Sequence, residues 1–148
     1  MKIYLSFFIL LIVHSVSSYA VEDPSSFEDT RISALAGNAY AQYNLGYMYA
    51  NGEGVPENDK TAVMWYTKAA KQGDASAQYN LGIMYYSGDG VPENDIKAYV
   101  WWVLAKANGY ESAKQNLEII KEQMTKAQIA KAQELAAKCH ASGFKECD

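Results

Sequence analysis

The sequence predicts an all-α fold, an α-solenoid in which antiparallel helix-turn-helix repeats stack on one another. Three observations predict it. Ala41 to Ser76 is repeated by Ala77 to Ser112 at 20 of 36 positions without a gap, and a fixed period of this length marks supersecondary units that bury their apolar faces against one another. Within each copy, apolar residues recur at helical spacing. Glycine, proline and Asn/Asp residues punctuate both copies where helices should stop and start.

Residues 1–20 read as a secretory signal peptide: Lys2 precedes the apolar run Ile3 to Val13, and Ser18-Tyr19-Ala20 places small residues at a cleavage site. That run falls short of the roughly 20 apolar residues needed to cross a bilayer. An uncleaved anchor using the whole stretch to Ala20 is the competing reading, and a mature chain beginning at Val21 would decide between them. Removing 1–20 takes away Lys2 and no acid, so 13 − 1 = 12 basic residues face 17 acidic ones, a net charge of −5. No basic stripe remains, which argues against nucleic acid or an anionic membrane as partner. The exported remainder suits one domain.

Residues 21–36 form an acidic leader and an N-terminal capping helix. Ser26 with Asp29 marks the helix start, Phe27, Ile32, Leu35 and Ala36 form its apolar stripe, and Gly37 ends it. Gly37 and Ala34 lie 36 residues before Gly73 and Ala70, so this helix is the back half of an incomplete unit. The repeat domain occupies 37–148, with units at about 39–74, 75–110 and 111–148. In the first unit, Ala41, Leu45, Met48 and Tyr49 share one face of helix A, from Ala39 to about Asn51. Gly52 and Gly54 break it, Asn58 or Asp59 caps helix B, and Ala62, Trp65, Ala69 and Ala70 form the facing stripe before Gly73. The second unit follows, with helix A near Ser76 to Ser87 and helix B from Asp95 to about Asn108.

Gly46 inside helix A costs about 1 kcal/mol of propensity relative to alanine. Gly82 repeats the cost, which predicts a neighbour too close for a side chain. The third unit begins at Ala113 but has Glu118 at the glycine position and no Gly-x-Gly turn. Thr125 with Gln128 is a capping box for a last helix running to about Cys139, with a polar outer face suited to the end of a stack.

The pattern Ala41-x-x-x-Leu45-Gly46-x-x-Tyr49, Gly52-x-Gly54-Val55, Asp59 through Trp65, then Ala69-Ala70-x-x-Gly73 resembles the Sel-one-like repeat (SLR) family, a relative of the tetratricopeptide repeats. The second unit matches from Ala77 to Gly109, with Lys106 replacing the second alanine, and the run from Met124 to Ala136 is similar to the terminal helix of bacterial members. The resemblance covers about Ile32 to Cys147. It implies an α-solenoid wound as a right-handed superhelix that binds proteins or peptides without catalysis, as an adaptor in the envelope or outside the cell.

Cys139 and Cys147 are eight residues apart, which on one helix is a rise of about 12 Å, too far for a disulfide. Ser142-Gly143 offers a reversal, and aligning Gly143 with Gly73 sets the cysteines on Ala69 and Ala77, small positions expected to face each other. Secreted, cysteine-rich members of the family resemble this arrangement, so a structural disulfide is expected in an oxidising compartment; free or intermolecular thiols are the alternative. Ser142-x-x-Lys145 matches the first motif of penicillin-binding enzymes, but no Ser-Asp-Asn or Lys-Thr-Gly accompanies it. His140 is the one histidine beyond residue 20, so no His-based metal site or catalytic triad can be assembled, and neither a metal nor a cofactor is expected.

Surfaces remain. Tyr43 and Tyr47 lie opposite Ala41 and Leu45 on helix A, and Tyr79, Ile83 and Tyr86 repeat the placement. These, with Asn44 and Asn80, whose place recurs at Asn116 in the third unit, are the candidate partner-binding residues. Packing of the tyrosines against the next hairpin, and an internal hydrogen bond from the asparagines, are the alternatives; Trp65, Trp101 and Trp102 are assigned to the core. The expected function is a non-catalytic protein- or peptide-binding module, monomeric or weakly oligomeric, periplasmic or secreted, with no stable membrane insertion. An envelope enzyme and a self-associating structural protein are the alternatives.

Overall fold

The structure, a computed structural model, describes residues 24–147; the signal peptide assigned to 1–20 and the first leader residues, 21–23, lie outside the described residues. Seven helices occur among the described residues: α1 (Pro24–Leu35), α2 (Ala39–Asn51), α3 (Asp59–Ala70), α4 (Ala75–Ser87), α5 (Asp95–Ala107), α6 (Ala113–Gln123) and α7 (Lys126–Ala141). α2 with α3 and α4 with α5 form two antiparallel hairpins, α1 packs on α2, and α3 packs on α4.

Local chemistry sets most boundaries. Asn38, Asn58, Asp74 and Asn94 each accept a hydrogen bond from the backbone N–H three residues on, which satisfies a donor the helix cannot pair itself. Gly52 and Gly88 end α2 and α4 in the left-handed conformation, at φ 69° and 79°. The cap at Asp74 starts α4 one residue earlier than the sequence suggested.

The apolar stripe assigned to α1 is corrected by the structure. Ala34 is buried and Phe27 packs edge-on against Tyr49, but Ile32 and Leu35 are 56% and 59% exposed and Ala36 is exposed. The inward face is fixed at Ala34, whose carbonyl accepts a hydrogen bond from the buried Gln42 side chain at 3.1 Å. A residue two positions before or one after is turned about a third to half of the way around the helix. The same bond recurs one period later, from Gln78 to the Ala70 carbonyl at 3.1 Å. Gln72 and Asn108 complete the pair by donating to the Gln42 and Gln78 side-chain oxygens. Each glutamine thus bridges three elements with both ends satisfied, which is what allows a polar side chain to be buried.

The anticipated crowding at the glycines is present, and its source is the partner helix of the same hairpin. A Cβ on Gly46 would lie 2.7 Å from the Tyr66 ring, and one on Gly82 would lie 2.5 Å from the Trp102 indole. Glycine therefore lets an aromatic ring lie flat on the A helix. The third unit abandons this device. In the Gly143 register Ala136 stands where Tyr66 and Trp102 stand, and Glu118 replaces the glycine, so no ring seats there. α6 and α7 accordingly pack on α5 more than on each other.

Cys139 and Cys147 are joined by a disulfide with α-carbons 4.5 Å apart. Both are buried, as are Ala69 and Ala77, the residues they align with. The reversal between them runs through Gly143 and Phe144, both at φ 64°, and Phe144 returns to lie against the turn at Gly73.

Candidate functional site

The period that builds the hairpins also builds a groove between successive A helices. A cavity of about 250 Å³ opens between α2 and α4, lined by Tyr47, Ile83, Asn80, Asp59 and Asp89 over a floor formed by Tyr66. One period on, a cavity of about 190 Å³ is lined by Ile83, Tyr86, Asn116 and Ile119 over Trp102. Tyr47, Ile83 and Ile119 are related by successive steps of 36 residues. They are 42%, 37% and 46% exposed, and Ile83 belongs to both cavities. Large side chains left open at one helical position in three consecutive units form a continuous apolar strip. Such a strip suits an elongated partner better than a small molecule.

Beneath the strip the site is rigid. Trp102 Nε1 donates to the Tyr79 carbonyl at 3.1 Å, and Tyr66 and Trp102 are each only 2% exposed. Asn80 of the second unit lies beside the hydroxyls of Tyr43 and Tyr66 of the first. Burial raises the Tyr66 phenol well above the usual tyrosine range, and the neighbouring Asn80 amide offsets part of that shift. Burial raises Tyr43 as well.

The sequence-selected residues divide in two. Tyr47, Asn80, Ile83 and Tyr86 line the groove. Tyr43 and Tyr79 are half-buried in packing: Tyr43 lies 5.9 Å from the Tyr66 ring centre, and Tyr79 stacks on Tyr110 at 4.3 Å and 22°. Asn44 is half-buried on α2 and lines neither cavity. Asn116, the third member of the recurring asparagine set, lines the second cavity; Ile119 was missed, although a 36-residue step from Ile83 reaches it. Trp102, assigned to the core, is buried there. Tyr66, Asp59 and Asp89 were missed because they come from the B helices and the intervening turn, whose approach to the A-helix face the helical period does not reveal.

Ser142 does not sit at a helix start. It follows α7, its hydroxyl donates to the Cys139 carbonyl at 2.8 Å and accepts from the Lys145 and Glu146 N–H groups at 3.2 and 3.0 Å. This serine is a structural tie within the disulfide-closed turn. Among the described residues no three His, Cys, Asp or Glu side chains gather to hold a metal ion.

A model of the Sel1 repeat family matches residues 39–74 and 75–110, the two units set by the period. The sel1-like repeat-containing protein L18 of Acanthamoeba polyphaga mimivirus is 35% identical over 73 residues, covering 47% of this chain and 12% of that protein. A protective antigen present in uropathogenic Escherichia coli strains, displaying an SLR fold, superposes with a TM-score of 0.77 at 30% identity. The superposition covers 82% of this chain and 27% of the antigen. A Sel1 repeat protein from Oxalobacter formigenes superposes with a TM-score of 0.63 at 38% identity, over 65% of this chain and 72% of its own. The chain thus spans about an eighth of the viral protein and about a quarter of the antigen.

Proposed function

The chain belongs to the Sel1 repeat family, whose repeats in general mediate protein–protein interaction, and on that premise we propose that it is a non-catalytic adaptor that docks a segment of another protein along the A-helix groove. The observation that carries this reading is the open strip Tyr47, Ile83, Ile119, three large side chains exposed at equivalent places over a rigid aromatic floor. A partner that covers the strip gains by removing apolar surface from water, at about 25 cal/mol per Å², and the floor does not have to be ordered first.

The proposed location is the periplasm or the cell exterior. The N-terminal apolar run, the Cys139–Cys147 disulfide and a net acidic balance support it, and among the described residues no helix is long and apolar enough to cross a membrane. The same reading takes units 39–74, 75–110 and 111–148 as one repeat domain behind a removable leader.

A photo-crosslinking amino acid placed at Ile83 in living cells tests the groove. Discrete adducts are expected from Ile83, and few from the more open Met64 of α3, 45% exposed on the same hairpin array. Equal labelling at both sites would remove the groove as the docking surface.

A further inference from the structure

The two cavities of the groove differ in charge. The described residues lining the first include two carboxylates, Asp59 and Asp89, and no cation; those lining the second are uncharged. The two residues come from different hairpins, Asp59 from the first turn of α3 and Asp89 from the turn after α4, and both line the cavity that Tyr47 borders; the Asp89 carboxylate also accepts a hydrogen bond from the Ser87 hydroxyl. They belong to a wider field, because segments 51–60 and 87–97 each carry three acids against one lysine. Such a cavity favours a long cationic side chain, whose alkyl stem can lie on an aromatic face while its head meets the carboxylates.

We propose that the groove selects a peptide segment bearing a lysine or arginine, which enters the Asp59–Asp89 cavity, next to a large aliphatic residue, which packs between Ile83 and Ile119 over Trp102. This rests on the docking reading above and adds the chemistry and polarity of what docks. Because the acidic cavity lies toward α2 and the uncharged one toward α6, the bound segment has one orientation along the array.

The test is selection of phage-displayed random dodecapeptides on the immobilised full chain, followed by fluorescence anisotropy with a synthetic consensus peptide. Expected are sequences with Lys or Arg close to Leu, Ile or Phe. Affinity should fall about threefold for Asp59→Asn or Asp89→Asn and about tenfold for both. It should weaken as salt rises from about 50 to about 300 mM. Replacing the peptide's basic residue by norleucine should cost wild type about the same tenfold and the double variant little. Unchanged thermal unfolding of the double variant separates recognition from folding. If Ile83→Asp abolishes binding while the Asp→Asn pair leaves it intact, or if the selected peptides lack a basic residue, the charge selection is wrong and the groove stands. If Ile83→Asp changes nothing, or no sequence is enriched, both readings fall.

Discussion

A methyl group added at Gly82 would fall 2.5 Å from an indole that cannot move away, because Trp102 Nε1 is held by the Tyr79 carbonyl. Gly82→Leu should therefore lower unfolding free energy by about 3 kcal/mol through overpacking, despite leucine's better helix propensity. Gly109→Ala makes the contrast: it meets nothing within 4 Å and bears only the strain of φ +95°, a cost of about 1 kcal/mol. Chemical denaturation of the two variants checks this, and equal losses would remove the close-packing account. Tyr66 makes the second residue-scale prediction. Its folded-state pKa is raised above the ordinary 10.0 by burial, so its contribution to stability is fully present below pH 10. As pH rises past 10 the unfolded chain ionises first, and the contribution is lost on the way up through the folded-state value. Urea midpoints should hold up to about pH 9.5 and fall from about pH 10 upward, and Tyr66→Phe should flatten that fall. An identical slope in the variant would assign alkaline sensitivity to other groups.

At the scale of elements, the third unit shows what happens when the Gly–aromatic seat is removed. α6 and α7 lean on α5, and the end of α7 is closed by covalent and polar ties: the disulfide, the Ser142 hydrogen bonds, and Lys138 to Glu146 at 3.0 Å. The ion pair is exposed on both sides and adds little. The disulfide matters more, since closing so short a loop stabilises by about 2.5 kcal/mol in the chain-entropy account. Cys139→Ala with Cys147→Ala should lose about that much and free Phe144 from the Gly73 turn. Hydrogen exchange should then rise in the last two turns of α7 while α2 and α3 stay protected. Faster exchange throughout the chain would mean instead that the clasp sustains the whole array.

Across the whole molecule, stability should be graded. One apolar cluster runs from Ala62 in α3 through α4, α5 and α6 to Cys147, whereas Ala34, Ala41, Leu45 and Trp65 form a separate small cluster at the α1 end. Stacked units are stabilised by their neighbours, and α4 and α5 have neighbours on both sides. Native-state hydrogen exchange should be slowest in α4 and α5 and fastest in α1, by at least about tenfold. Uniform protection would show a single cooperative block.

The 36-residue period, the helix cap at Thr125, a cap at Asn58 or Asp59, and the break at Gly52 were legible in the linear chain, because they depend on residues within one helical turn of each other; the structure selects Asn58 and repeats the cap at Asn94. The same holds for the demand for space at Gly46 and Gly82, since a glycine repeated in a helix interior has few other reasons to be there. Which surface stays open was not legible. Ile32 and Leu35 of α1 look like core and face outward, since the Gln42 bridge to Ala34 sets the roll of that helix. Tyr43 and Tyr47 look alike on a helical wheel, yet Tyr43 is taken up by Tyr66 and Asn80 while Tyr47 borders a cavity. Asp59 and Asp89 line one cavity from different hairpins. Periodicity specifies each helix and its inward stripe. The roll of one helix on another, and with it the lining of the groove, depends on contacts between residues about a full repeat apart.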